Sequence, residues 1–173
     1  MRTFISINFD RGVIERLKDL QSALKMYASG GRFTGPENLH LTLAFLGEVE
    51  QKRIRTLDEI LRSLSGFAAP ELTFDGIGSF GRGLYFARIK PTPELMALQS
   101  ELTRKLLGAG FRLDERDFRP HVTLARELEV REKPIISYEP FSMRADRLSL
   151  MKSELGRGGP RYSELFATAL GKN

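Results

Sequence analysis

The feature that most constrains this chain is a repeated frame that holds its only two histidines. One frame reads His40-Leu-Thr-Leu and the other His121-Val-Thr-Leu, and six of eleven positions are identical across Leu39–Val49 and Pro120–Val130. A strand places residues i and i+2 on the same face, so each histidine projects beside a threonine. The frames therefore predict two half-buried strands, each carrying an imidazole and a hydroxyl on its polar face.

The segments before the two frames repeat as well. Residues 3–9 alternate as in a strand, Asp10 can cap a helix, and the apolar positions that follow recur at helical spacing: Val13, Ile14, Leu17, Leu20 and Leu24. In the second half Leu84–Lys90 predicts a strand, Thr92 starts a helix, and the same spacing recurs at Leu95, Leu98, Leu102 and Leu106. Each half then runs through a loop, at residues 29–38 and after Gly110, into a histidine strand.

The repeat predicts an α+β fold with two pseudo-symmetric lobes. We expect one bilobal domain over residues 1–173, with a first repeat at about 3–80, a second at about 84–152 and a C-terminal segment at 153–173. Further elements are a helix at 51–64, strands at 71–75 and 141–152, and a tail at 162–170 that could be a strand or a short helix. If the repeats pair about a two-fold axis, their polar faces meet across a groove.

One glycine motif, Gly76-Ile-Gly-Ser-Phe-Gly81, matches the dinucleotide-binding pattern G-x-G-x-x-G. In such a site the motif opens a helix. Here a strand pattern follows it, so we interpret the glycines as a turn or bulge between antiparallel strands.

Composition narrows the class of protein. The chain has no cysteine, a net charge of +5 and a pI near 9.7. Thiol catalysis and disulfides are excluded, and an anionic partner is favoured. The N-terminus lacks the apolar core of a signal peptide and no run reaches membrane-spanning length, so we expect a cytoplasmic protein without membrane contact. We also expect a monomer.

Two imidazoles suit phosphoester chemistry, because one can activate water as a base while the other protonates the leaving oxygen. The threonine hydroxyls can donate hydrogen bonds to the non-bridging oxygens of the phosphate. Two histidines without further ligands fall short of a metal site, so no metal and no cofactor is expected. The alternative is a structural role, in which the duplicated frames are simply two half-exposed strands.

The chain resembles the two-histidine (2H) phosphoesterases, and within them the bacterial and archaeal RNA 2′,3′-cyclic phosphodiesterases, also called 2′-5′ RNA ligases. The resemblance rests on segments spread over nearly the whole chain: Met1–Ile7, Pro36–Gly47, Phe118–Arg126, Ser153–Leu155 and Tyr162-Ser. It implies two lobes with antiparallel sheets and outer helices. It also implies hydrolysis of RNA or nucleotide 2′,3′-cyclic phosphates, tRNA fragments among them, to 2′-phosphates, with reverse 2′-5′ ligation.

The resemblance further implies that His40 is the proton donor and His121 the proton acceptor. It matches Arg126 to a substrate-binding arginine, beside Thr42 and Thr123. Strict alternation puts Arg126 on the opposite face from His121, so a bulge or bend after Ala125 is required; a salt bridge elsewhere is the alternative. Phe33 and Phe118 could stack on a base or belong to the core.

The sequence leaves two other functions open. The enzyme could act on another phosphoester, such as a linear 2′-5′ oligonucleotide or ADP-ribose cyclic phosphate. The chain could also be an RNA-end-binding module without activity.

Overall fold

Nine strands and three α-helices make up residues 1–171, the part of the chain that the structure, a computed structural model, describes. The helices are α1 (Arg11–Lys25), α2 (Ile54–Ser63) and α3 (Pro93–Gly108). The strands are β1 (Arg2–Asn8), β2 (Ala28–Phe33), β3 (His40–Glu48), β4 (Glu71–Phe80), β5 (Leu84–Ile89), β6 (His121–Val130), β7 (Phe141–Arg144), β8 (Arg147–Gly156) and β9 (Gly159–Ala169).

Two antiparallel sheets carry one histidine strand each. The first sheet has the order β3-β1-β8-β9 and the second the order β2-β6-β5-β4-β7. The expected α+β class with two antiparallel sheets is confirmed. Lys172 and Asn173, the end of the expected C-terminal segment, lie outside the described residues.

Each sheet mixes strands from both halves of the sequence. β2 and β4 precede residue 84 yet lie in the second sheet, whereas β8 and β9 come from the second half and lie in the first sheet. The predicted single strand at 141–152 is therefore wrong. It divides at Ala145-Asp146 into β7, paired with β4, and β8, paired with β1 and β9.

The helices α1 and α3 follow the local signals and pack behind the two histidine strands. Asp10 accepts a hydrogen bond from the Val13 amide at 2.8 Å and so caps α1, while Thr92 caps α3. Their predicted apolar faces are buried except for Ile14, which is half-buried against the core. α1 packs against β2, β6 and β7 of the second sheet, whereas α3 packs against β3 of the first sheet and β4 of the second. Each histidine strand is thus backed by the helix of the other half.

The predicted loop at residues 29–38 is partly a strand, since β2 pairs with β6. Gly31 permits this pairing: its φ is +118°, and a Cβ there would lie 2.6 Å from the Leu128 Cα and 2.7 Å from the Glu127 carbonyl oxygen. Glycine is depleted in strands, so sequence propensity pointed to a loop. The close approach of two backbones explains why glycine is nevertheless used.

The tail is a strand, and the glycine motif lies in the β4–β5 hairpin. The element directly after Gly81 is the strand β5 and not a helix, so the motif does not have the setting of a dinucleotide site. Gly78 instead makes room for a neighbour, because a Cβ there would lie 2.5 Å from Cζ of Phe86.

Candidate active site

A groove of about 1950 Å³ is lined by both histidine strands. His40 and Thr42 of β3 and His121, Thr123 and Arg126 of β6 all border it. The structure thus brings together every site residue that the sequence predicted. Arginines outnumber carboxylates among the lining side chains by seven to four, so the groove is basic.

Both imidazoles are held in the same way. Nδ1 of His40 lies 2.6 Å from the Asn38 carbonyl oxygen, and Nδ1 of His121 lies 2.6 Å from the Arg119 carbonyl oxygen. A carbonyl can only accept, so Nδ1 carries the proton and donates it in both rings. Nε2 is therefore the nitrogen available for proton transfer. In His40 it lies 2.8 Å from Oγ1 of Thr42, whose hydroxyl can donate to it when the ring is neutral.

Two aromatic rings support each histidine. His40 packs against Phe4 at 4.9 Å and against Tyr162 at 5.3 Å between ring centroids. His121 has Phe80 at 5.5 Å and Phe86 at 5.3 Å. These contacts fix the planes of the imidazoles. Two of the four rings, Tyr162 on β9 and Phe80 on β4, come from strands that do not pair with the strand of their histidine, so the local sequence does not reveal these contacts.

The surroundings of His40 disfavour its charged form. Burial lowers its pKa from the ordinary value, and the nearby positive charges of Arg126 and His121 lower it further. The hydrogen bond to the Asn38 carbonyl acts in the opposite direction and raises the pKa. Arg126 and the two histidines are thus close enough to interact electrostatically.

The histidine strands β3 and β6 each contain a β-bulge after the threonine, and each bulge turns one more side chain toward the groove. On β6, Thr123 pairs with Phe86 and Ala125 with Tyr85, which leaves Leu124 without a partner on β5. Leu124 and Ala125 are both buried, and Arg126 emerges on the face of His121. The required irregularity is therefore present, one residue before Ala125. No carboxylate among the described residues forms a salt bridge with Arg126.

The bulge in β3 has the same form. Thr42 pairs with Ser6 and Ala44 with Ile5, so Leu43 is the extra residue. Phe45 then occupies the position equivalent to Arg126, and it too lines the groove.

Comparison of the sequence with known protein families identifies the family of this chain. A sequence profile of the 2′-5′ RNA ligase superfamily matches residues 10–157. The chain belongs to the 2′-5′ RNA ligase superfamily. The family expected from the two frames is thereby confirmed.

Relatives within the superfamily cover nearly the full chain. An RNA 2′,3′-cyclic phosphodiesterase of Methanothermobacter thermautotrophicus is 31% identical over 95% of this chain and 96% of its own length. An RNA 2′,3′-cyclic phosphodiesterase of Thermotoga maritima is 32% identical over 96% of this chain and 94% of its own length. The crystal structure of Escherichia coli LigT complexed with 3′-AMP superposes with a TM-score of 0.83 at 26% identity, covering 99% of this chain and 98% of that one.

Two glutamines that no sequence motif marks also contact the histidine strands. Gln21 on α1 donates from Nε2 to the Leu124 carbonyl at 3.0 Å, and Gln99 on α3 donates to the Leu43 carbonyl at 3.3 Å. Each helix thus holds the bulge of the other half's histidine strand. The sequence marks each glutamine only as a polar residue at helical spacing among the apolar residues of its helix.

Phe33 and Phe118 are half-buried, border the groove and pack against the core. Within residues 1–171, no three His, Asp or Glu side chains lie close enough together to hold a metal ion. None of the described helices has the length and apolarity needed to cross a membrane.

Proposed function

We propose that this protein hydrolyses 2′,3′-cyclic phosphates at RNA ends or on nucleotides to 2′-phosphates, by acid–base catalysis between its two histidines. The observation that supports this most directly is the pair of equivalent imidazoles. Both are anchored at Nδ1 on a backbone carbonyl, and both border one basic groove.

Hydrolysis by this pair is an in-line displacement at phosphorus. Nε2 of His121 accepts a proton from water as the water oxygen bonds to phosphorus. The bond from phosphorus to O3′ breaks, and His40 donates its Nε2 proton to O3′. Each such proton transfer contributes about 10²–10⁴ in rate. No metal or cofactor takes part in this scheme.

The neighbouring groups hold the phosphate. Thr42 and Thr123 donate hydrogen bonds to its non-bridging oxygens, and Arg126 offsets its negative charge. The donor role of His40 requires a protonated ring, which burial and Arg126 disfavour in the free protein. Bound phosphate brings a negative charge close to the ring and so raises its pKa again.

The size and charge of the groove favour an RNA end. Small-molecule sites occupy about 300–1,000 Å³, and this groove of about 1950 Å³ has room for more than one nucleotide. RNA with a 2′,3′-cyclic phosphate, tRNA fragments included, fits that space and charge. The same groups run in reverse would join such an end to a 5′-hydroxyl in a 2′-5′ linkage. The curated relatives are RNA 2′,3′-cyclic phosphodiesterases by name, which supports this substrate class.

The test is turnover of 2′,3′-cyclic AMP and of a short RNA ending in a cyclic phosphate, in buffer containing EDTA. We expect product with the phosphate on the 2′-oxygen, and losses of at least about 10²-fold in His40→Ala and in His121→Ala. Folding of both variants is checked by circular dichroism.

Other results identify other functions. Turnover only with added metal contradicts the scheme, as does unchanged activity in either histidine variant. Turnover of a linear 2′-5′ dinucleotide but no cyclic phosphate assigns another phosphodiester substrate. RNA binding without turnover assigns a binding module.

A further inference from the structure

The hairpin that joins β8 to β9 lies beside His40, and residues 156–162 border the groove. Two contacts fix it there. The Pro160 carbonyl accepts a hydrogen bond from Nδ2 of Asn38 at 2.9 Å, and the ring of Tyr162 lies 5.3 Å from the imidazole of His40. Asn38 is also the residue whose carbonyl oxygen holds Nδ1 of His40. The hairpin is therefore tied to the same backbone that orients this imidazole.

Two arginines of the hairpin, Arg157 and Arg161, are exposed on the groove. Within residues 1–171 neither guanidinium forms an ion pair or a side-chain hydrogen bond. The residue that pairs with Arg161 across the hairpin is Glu154, whose carboxylate binds Lys152 at 3.0 Å instead. Two cationic groups are thus available beside His40 for an anion that enters the groove.

The backbone between these arginines is bare. Gly156 pairs with Gly159, so Arg157 and Gly158 form the turn. The φ of Gly158 lies outside the left-handed region, and a Cβ there would meet no protein atom within 4 Å. Neither backbone conformation nor packing within the protein requires glycine at this position, which borders the groove. A glycine that the fold does not need leaves room for the close approach of a ligand to the backbone.

The geometry of the proposed reaction sets the side on which the RNA strand leaves the phosphate. In an in-line displacement the attacking water and the leaving O3′ lie on opposite sides of phosphorus. With water at His121, O3′ lies at His40. The ribose is bonded to O3′, so it too lies on the His40 side. The strand continues from the 5′-carbon of this ribose, on the side of the groove where the hairpin is fixed.

We infer that the β8–β9 hairpin is a second subsite, where Arg157 and Arg161 bind the backbone phosphates of the nucleotides that precede the cyclic phosphate. The inference rests on the proposed function and narrows its substrate to the end of an RNA strand. Contacts from arginine to backbone phosphates carry no sequence information, so the subsite responds to strand length and not to base identity. A cyclic mononucleotide leaves the subsite empty and gains nothing from it.

The experiment compares a trinucleotide with a mononucleotide. Wild type and the double variant Arg157→Gln/Arg161→Gln are assayed with the RNA trinucleotide ApApA ending in a 2′,3′-cyclic phosphate, and with 2′,3′-cyclic AMP. We expect KM for the trinucleotide to rise between about fivefold and a hundredfold, from the usual strength of charge-assisted hydrogen bonds. KM for cyclic AMP and both kcat values should change less than twofold.

Salt dependence gives a second readout. Each phosphate contact on a single strand contributes about 0.7 to the slope of log affinity against log salt concentration. The slope for the trinucleotide should therefore be flatter by about 1.4 in the double variant, whereas the slope for cyclic AMP should not change. An unchanged trinucleotide slope overturns the inference.

The matched control is Arg55→Gln/Arg62→Gln. It removes the same two charges from the exposed face of α2, outside the groove, where both arginines form surface ion pairs of little energetic weight. KM for both substrates should stay at the wild-type values. An equal rise for the trinucleotide in the two double variants would assign the effect to net charge and overturn the inference. An equal rise for both substrates in the hairpin variant, or no rise for the trinucleotide, also overturns it.

Failure of the subsite and failure of the proposed function are distinguishable. If wild type turns over neither substrate, the proposed function fails, and the subsite is then tested by calorimetric binding of ApApA with a 3′-phosphate against 3′-AMP. Weaker binding of the trinucleotide alone in the hairpin variant supports the subsite. Equal binding of the trinucleotide by wild type and hairpin variant overturns it.

Discussion

At the scale of single residues, burial and a neighbouring arginine act on the imidazole of His40. Burial and the charge of Arg126 lower the pKa of His40, so a larger share of its rings is neutral at a given pH than for a free imidazole. If His40 is the proton donor, kcat/KM should fall as pH rises through this lowered pKa. The activity of the free enzyme should therefore favour the acidic side of the ordinary histidine range.

The pKa of His40 can be measured directly by NMR titration of its ring Hε1 resonance, since a second histidine is the only other source of such signals. We expect a midpoint below the ordinary 6.5. Arg126→Gln removes a positive charge and should move the midpoint and the kinetic limb to higher pH, whereas Arg126→Lys should move neither far. Identical midpoints in all three proteins would show that Arg126 does not act on His40.

Thr42 supports a second prediction at this scale. Its hydroxyl lies 2.8 Å from Nε2 of His40 and, in the proposed scheme, donates to the bound phosphate. Thr42→Val keeps the shape and removes the donor, so we expect kcat to fall by about 10²–10³. Thr42→Ser should recover most of the loss. If serine is as inactive as valine, the methyl group rather than the hydroxyl is what matters.

At the scale of elements, the bulges depend on helices from the opposite half. Gln21→Met and Gln99→Met each remove a donor to a bulge carbonyl, and we expect the free energy of unfolding to fall by about 1 kcal/mol. Displacement of the groove residues should lower kcat/KM by up to about 10²-fold. Gln51→Met, on an exposed turn, is the matched control and should change neither quantity. Full activity in Gln21→Met and Gln99→Met would mean that the bulges hold without the amides.

The strand β2 gives a prediction about stability. Gly31→Ala places a Cβ into the backbone of β6 at a positive φ, and it should lower the free energy of unfolding by more than about 1 kcal/mol. Gly108→Ala, at the end of α3 with open space around it, should change that energy by less than about 1 kcal/mol. Chemical denaturation measures both. Similar effects in the two variants would mean that β2 does not approach β6 as closely as described.

At the scale of the molecule, the two sheets share the strands of both sequence halves. Because neither half contains a complete sheet, we predict one cooperative unfolding transition for the single domain, with the same midpoint by circular dichroism and tyrosine fluorescence. Fragments 1–82 and 83–173 should each be unfolded alone. Two separated transitions would show that the lobes are independent.

The mixing of strands from both sequence halves also limits how much of the fold could be predicted from the sequence. Helix faces, caps and the His-x-Thr alternation are local patterns, and they correctly placed α1, α3, His40 and His121. The break at Ala145-Asp146 and the pairing of glycine-rich β2 depend on contacts with distant strands. So do the bulges that expose Arg126 and Phe45, because Gln21 and Gln99 lie far from them in sequence. Local periodicity carries no information about such partners.

The connections between the sheets limit how the groove can change shape. Within residues 1–171 the chain passes from one sheet to the other four times, and the passage from β7 to β8 is only Ala145-Asp146. An extended chain spans about 3.3–3.6 Å per residue, so this tether cannot lengthen to follow a swinging wall. The two sheets therefore cannot separate at this connection. The RNA end proposed as substrate must therefore enter between walls that are joined at this connection.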